Sequence, residues 1–447
     1  MSVRDYLGRF LGDEPSSRSP LQRLVTGDAA LVVGLLLAVY VVFVVIGTVL
    51  GYGINGQVNA LARLTFLTAV YALAVLALNL HWGYTGLFNI GVAGFMAVGT
   101  YTMMMVSAAP DARVPGLGLP LWVGILAGMA AAAFIGLVAA LPALRLRADY
   151  LAIVTIAFSE IIRISYLSST LQSFTIAGTE LGTGGGGGIG IQNDPDTVFL
   201  ETLNGLPGVG SLIGGITTAA QNAGIQPSVV NNWLYAVVLL VFVVAFYWLL
   251  SRIGNSPFGR VLKAIREDED VARALGKNTN LFKIKSFMVG CALMGLAGIL
   301  WQGSLGFVNP NTFLPQVTFF IWIALIIGGA GSNTGSVVGA ALFAAVLFEG
   351  PRYLANVASQ TMDLGSSPST FAGAVGALFD FEIATFFAYA LDNIAPLRLV
   401  LVGIVLIWLM QNRPEGLLGH RKETASSISL RRPSRESTAA ADGGEER

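Results

Sequence analysis

The sequence predicts an all-α, polytopic integral membrane protein with about ten transmembrane segments, some of them broken or re-entrant. Three observations predict it. Of 447 residues, 54% are hydrophobic and 12% charged, where a soluble domain is about a quarter charged. Apolar runs of roughly twenty residues, the length that crosses a bilayer as a helix, recur along the whole chain. The runs lack barrel-type alternation, and helices are the other structure that satisfies backbone groups in lipid. Net charge is zero, which speaks against a nucleic-acid partner. A single cysteine, Cys291, excludes an internal disulfide framework and a multi-cysteine metal site. His81 and His420 are too few for a histidine cluster, so no metal site is expected.

Residues 1–28 read as a polar arm carrying Arg4, Arg9, Arg18 and Arg23. The run that follows, 29–54, is too long for a signal-peptide core and reads as a retained first span. The predicted segments are 30–52, 64–80, 86–107, 119–141, 150–168, 232–252, 286–304, 316–329, 334–350 and 394–411, within a membrane domain of 29–411. The eighth and ninth are short and flank "GGAGSNTG". As one broken or re-entrant hairpin they would leave eight spans.

Positive charge sets orientation. Under the ten-span reading, 21 of the 26 Lys and Arg fall on one side, among them Arg145, Arg147 and eight in the 252–285 stretch. The 169–231 loop contains neither Lys nor Arg and is placed outside. Both termini and the 253–285 loop are then expected in the cytoplasm. The external loop carries the run Gly184 to Gly188, expected to be a flexible linker because glycine holds regular structure poorly. No lysine or strand–helix frame makes that run a nucleotide loop. The 351–393 connection is long and apolar enough to hold an extra interfacial helix. The polar, Ser-rich tail within 412–447 reads as largely disordered.

Inside the spans, Gly331, Gly335 and Gly339, and likewise Gly124 and Gly128, recur every four residues. That spacing is a groove for close helix packing. Two regions differ. "LNLHWGYTGLFNIGVAGFMAVG" (78–99) places Asn79, Trp82, Tyr84 and Asn89 among interrupting glycines. "IIGGAGSNTGSVVGAA" (326–341) does the same with Asn333. Glycine-interrupted hydrophobic segments in both halves mark a binding site or pathway built from broken helices, or else two interfacial turns. Glu160 and Arg163 are three apart and share a helix face near the middle of the fifth segment, as a structural pair or a gate. An ion-coupled transporter needs carboxylates along its route, and Glu160 is the one candidate, so the energy source is expected outside this chain.

The densest charge lies in "GRVLKAIREDEDVARALGKN" (259–278). "PFGRVLKAIRE" is amphipathic at helical spacing. "DEDVARALGKN" reads as a second, very short helix, capped by Asp268 or Asp270 and ended by Gly276. Alone it is too short to be stable, so it needs something to dock on. "GKN" fails the phosphate-loop pattern, since Asn278 and Val271 replace required residues. This chain is not expected to be an enzyme.

The stretch 256–301 closely resembles the loop and following span of LivM-type permeases, membrane subunits of ABC importers for branched-chain amino acids. Further matches are "ALNLHWGYTGLFNIGVAGFMAVGTYT" (77–102), "DYLAIVTIAFSEIIRI" (149–164), "ALIIGGAGSNTGSVVGAAL" (324–342) and "NRPEGLLG" (412–419). The resemblance implies a permease subunit in the plasma (cytoplasmic) membrane, within the lipid bilayer, beside a second, LivH-like permease. It implies two LivG/LivF-like ATPase subunits carrying ATP-Mg, with no cofactor in this chain, and an external solute-binding protein. By that match Glu267, Asp268, Ala272, Ala274, Leu275 and Gly276 sit at the ATPase contact. The candidate pathway residues, from the glycine-interrupted segments and the charge within the fifth segment, are Asn79, Trp82, Tyr84, Asn89, Glu160 and Asn333. The sequence departs at "GVAGF", where Val92 replaces a histidine that many relatives carry. Related permeases serve urea, short amides and other amino acids, so the solute stays open.

Overall fold

The computed structural model describes residues 29–143, 148–176, 178–361 and 367–418. The expected N-terminal arm, Arg145 and Arg147, and the tail beyond residue 418 with His420 lie outside the described residues. Helices form at all ten predicted apolar runs. They are α1 (Ala29–Val49), α2 (Ile54–Asn79), α3 (Val92–Ser107), α4 (Leu121–Ala143) and α5 (Ala148–Leu167) in the first half. The second half holds α8 (Pro227–Asn255), α11 (Thr279–Trp301), α12 (Pro315–Gly328), α13 (Asn333–Leu342) and α17 (Ile394–Asn412). Between them lie α6 (Pro195–Gly205), α7 (Val209–Asn222), α9 (Pro257–Glu267) and α10 (Glu269–Ala274). The π-helical Phe343–Glu349 extends α13 into α14 (Gly350–Thr361), and α15 (Phe371–Phe379) and α16 (Ile383–Asp392) precede α17.

The centre of the bundle is α2, which continues through a π-helical turn, Leu80–Tyr84. Its apolar stretch is 83% buried by the rest of the chain, where that of α1 is 11% buried. Helices α8, α11, α12 and α13 pack around it. The outward faces stay apolar: Leu37 and Val41 on α1, Phe134 on α4, Val241 and Val244 on α8, and Ile404 and Ile407 on α17 are all exposed. A helix apolar on both faces belongs in lipid. Small residues set the close packing between helices. A Cβ on Gly128 would lie 2.4 Å from the Gly99 carbonyl oxygen, and one on Gly339 would lie 2.1 Å from that of Ala324. Gly124, Gly128, Gly335 and Gly339 are thus packing residues. Gly331 is not in their helix and sits in a turn with φ +88°.

Eight helices among the described residues are long and apolar enough to cross a membrane. They are not the eight left by merging the eighth and ninth segments. Pro310–Gly328 and Asn333–Ala358 are each long enough, because a 3₁₀ turn precedes α12 and the π-helical piece and α14 prolong α13. The short leg is instead α3, whereas α17 runs for 19 residues. The 16 residues of α3 reach about 24 Å at 1.5 Å per residue, less than the roughly 30 Å hydrocarbon core.

The bundle has two ends. At one, β3 (Ile189–Gly190) pairs antiparallel with β4 (Phe307–Val308). There lies the 169–231 segment, expected as a linker-containing loop, described except at residue 177. It forms a hairpin of β1 (Phe174–Ile176) and β2 (Thr179–Leu181), then α6 and α7. The expectation that Gly184 to Gly188 is a flexible linker is corrected. Gly184, Gly185 and Gly188 take φ of +71°, +55° and +69°, and a Cβ on Gly188 would meet the Val308 carbonyl oxygen at 2.4 Å. Glycine is needed there for a tight, packed turn. The 351–393 connection contains two short helices, α15 and α16, in addition to α14.

Candidate functional site

At the other end of the bundle, both glycine-interrupted regions meet the charged loop. The break after α2 is a π-helical turn followed by an irregular stretch, 86–91. Its loosened backbone groups find partners: Thr85 Oγ1 donates to the Leu80 carbonyl at 2.9 Å, and the Leu87 N–H donates to the His81 carbonyl at 2.8 Å. This is how a broken helix keeps its backbone groups satisfied without water. The second break is the turn 329–332 between α12 and α13. Asn79 joins the two breaks. Its Oδ1 accepts from the Gly331 N–H at 2.8 Å, and its Nδ2 donates to Asn333 Oδ1 at 3.1 Å. Asn333 Nδ2 in turn donates to Ser251 Oγ on α8 at 3.2 Å. The charged loop closes the junction from below, because the Arg266 guanidinium donates to the Gly83 carbonyl.

Around this junction the remaining predicted pathway residues take structural positions. Asn89 is fully buried. Its Oδ1 accepts from the Gly91 N–H at 2.8 Å, its carbonyl accepts from Trp322 Nε1 at 3.0 Å, and its Nδ2 lies 3.1 Å from His81 Nδ1. An amide nitrogen can only donate, so Nδ1 is the acceptor and His81 Nε2 carries the proton towards the Phe287 carbonyl at 3.1 Å. Trp82 packs with Phe88 and Trp322, ring centroids 5.0 and 5.5 Å away. The buried Tyr84 ring lies under Lys263, 5.5 Å from its Nζ. Glu160 makes no hydrogen bond to this group. It pairs with Arg163, Nε to Oε2 2.9 Å. Arg163 Nη1 donates to Asn311 Oδ1 at 2.8 Å, at the β3–β4 end.

The charged loop folds as its capping signals predict. Asp268 Oδ1 accepts from the N–H groups of Asp270 and Val271 at 2.9 and 3.0 Å, which makes it the N-cap of α10. Gly276 takes φ +75°. Its N–H bonds the Arg273 carbonyl at 3.0 Å, and the Lys277 N–H reaches back to that of Ala272 at 3.2 Å, a Schellman ending. Lys283 ties the helix to α11 through Glu269 at 2.9 Å. Burial raises the Glu269 carboxyl, but Lys283 and Arg273 outweigh it and hold the group below its ordinary value. Of the residues expected at a partner contact, Ala272 is turned inward, while Glu267, Asp268, Ala274, Leu275 and Gly276 are exposed. Val271 and Leu275 stand 55% and 73% exposed, two large apolar side chains uncovered by their own chain.

Sequence reasoning missed the ties made by Arg266, Ser251 and His81. It also missed the chain's own clip on the second break, where the N–H groups of Leu417 and Leu418 donate to the Ile327 and Gly328 carbonyls at 2.9 and 3.0 Å. His81 had a signal, a lone imidazole inside an apolar run, which in lipid must find buried partners. Among the described residues no group of His, Cys, Asp and Glu could hold a metal.

The described residues thus form a polytopic, all-α membrane fold in which two helix breaks share a buried polar junction. The chain belongs to the family described as the branched-chain amino acid transport system permease component, which matches residues 60–410. It is 35% identical over 278 residues to the high-affinity branched-chain amino acid transport system permease protein LivM of Escherichia coli, covering 62% of this chain and 60% of that protein. It is 26% identical over 311 residues to a probable LivM of Methanocaldococcus jannaschii, 63% of this chain and 79% of the relative. LivH of Salmonella typhimurium, also a permease of that system, is 26% identical over 275 residues, 61% of this chain and 79% of LivH. The match thus spans about three fifths of the length of the E. coli LivM. No solved structure matches.

Proposed function

We propose that this chain is a permease subunit of an ABC importer in the plasma membrane. It forms part of the path for branched-chain amino acids or a related small polar solute such as urea, an amide or another amino acid. A separate ATPase drives it through the α9–α10 loop. The observation that carries this reading is α10: a capped six-residue helix whose ties to its own chain, Ala272 and the Glu269–Lys283 pair, leave Val271 and Leu275 uncovered. The loop lies on the Lys- and Arg-rich side, with both termini in the cytoplasm, by the positive-inside rule. The assembly would hold a second, LivH-like permease, two LivG/LivF-like ATPases that bind ATP-Mg, and an external binding protein that delivers the solute. An ion-coupled mechanism lacks support, because Glu160 is already held by Arg163. The test is Leu275→Asp and Gly276→Arg in the full chain expressed with its partner subunits. Both should reach the membrane at normal levels, lose the ATPases on purification and lose uptake. Normal uptake in both would overturn the docking assignment.

A further inference from the structure

Two routes lead from α10 into the bundle: the Glu269–Lys283 pair to α11, and α9. Leu262 and Ile265 bury one face of α9 against the bundle. Arg266, two residues before the Asp268 cap, is the contact that reaches both breaks. Its guanidinium holds the Gly83 carbonyl. A Cβ on Gly331 would lie 3.1 Å from its Nη1, and one on Gly86 would lie 3.4 Å from its Cα. The same guanidinium donates to Glu267 Oε1 through Nε and Nη2 at 3.1 and 2.7 Å, which fixes the plane of the fork. A cation at the end of α2 also faces the negative pole of that helix. The contacts close a ring. Arg266 holds Gly83, the next turn up carries Asn79, Asn79 holds Gly331 and Asn333, Asn333 holds Ser251, and α8 runs from Ser251 back into α9.

The geometry points to Arg266 as the positioning residue that carries a displacement of the charged loop to the Gly83 carbonyl and the 329–332 turn together. This rests on the reading of α10 as the ATPase dock. A glycine break is the part of a helix that bends at least cost, so a rigid fork between the dock and two such breaks turns a push on the loop into a change of angle between α2, α12 and α13. Arg266 touches no solute. It acts through the backbone it holds.

The test compares Arg266→Met with Arg266→Lys in the full chain, co-expressed with the partner subunits and reconstituted in liposomes. Three quantities are read: ATPase retained on purification, thermal stability, and solute taken up per ATP hydrolysed. Arg266→Met should keep the ATPases and the melting temperature but lower uptake per ATP by at least about tenfold, the scale of a lost coupling energy. Arg266→Lys retains a donor for the Gly83 carbonyl and should restore most of that ratio. An unchanged ratio in Arg266→Met overturns the proposal. So does a loss that follows ATPase release or a fall in melting temperature and is not rescued by Lys, since Arg266 would then be only a helix cap. Leu275→Asp run in parallel separates the two readings. If it keeps both ATPases and uptake, the docking assignment fails whatever Arg266 shows.

Discussion

Replacing Asn79 by Leu removes the joint between the two helix breaks while keeping a side chain of four heavy atoms branched at Cγ. Asn79 is fully buried, and its amide serves two partners, the Gly331 N–H at 2.8 Å and Asn333 Oδ1 at 3.1 Å. The substitution leaves both without their partner. In a soluble core each orphan costs about 1–3 kcal/mol, while polar contacts between membrane helices average roughly 0.6 kcal/mol. A loss of about 2 kcal/mol is therefore expected. Thr68 on the same helix supplies the control. Its Oγ1 is buried with no hydrogen-bond partner, so the isosteric Thr68→Val removes an unmet polar group and should leave stability unchanged or raise it by up to about 1 kcal/mol. Unfolding of the detergent-solubilised protein by SDS titration measures both. The reasoning is refuted if Asn79→Leu is as stable as the parent, or if Thr68→Val costs as much as Asn79→Leu.

Gly339→Val should separate α12 from α13 and cost about 1–3 kcal/mol by overpacking. The added atoms meet the Ala324 carbonyl oxygen and Gly328 backbone, which cannot swing away as a side chain would. Folded yield in detergent and a thermal melt check it. Asp196, at the start of α6, has its carboxyl pushed up to about 6, by burial first and then by neighbouring Asp194. A raised acid favours the folded state when protonated. Its stabilising effect is complete below the unfolded value near 3.8 and is lost as pH rises through about 6. Asp196→Asn should therefore raise the melting temperature at pH 7.5 relative to the parent and change it little at pH 3.5, below the unfolded value. An equal effect at both would remove the titration from the account.

The sequence made the helices and the loop legible for reasons that are local. Long apolar runs identify spans because lipid demands them, and Asp268 and Gly276 bracket α10 because capping needs only neighbouring atoms. What depended on partners far along the chain was hidden. Helix α2 starts at Ile54, ten residues before the predicted segment, because Asn55, Asn59 and the Val58 carbonyl are paired across to the start of α8. Gln226 N–H bonds Asn55 at 2.9 Å, and Trp233 Nε1 bonds Val58 at 3.1 Å. A hydropathy reading scores those residues as loop. The two broken regions could be singled out by their glycines, but not joined, since residues 79 and 333 meet only through tertiary packing. The same holds for Arg266, whose charge marks it as solvated until Gly83 is placed beside it. The Arg163–Asn311 bond was hidden too, because residue count alone does not show which turn of α5 lies level with Asn311.

The clip formed by Leu417 and Leu418 bears on the order of assembly. These residues are synthesised roughly ninety positions after the carbonyls they cover, Ile327 and Gly328. The end of α12 therefore stays incompletely hydrogen-bonded until almost the whole described chain has been made and α17 is in place. The turn on which both breaks depend is finished last, so a chain halted before that point would hold its central helix but not the settled geometry beside it.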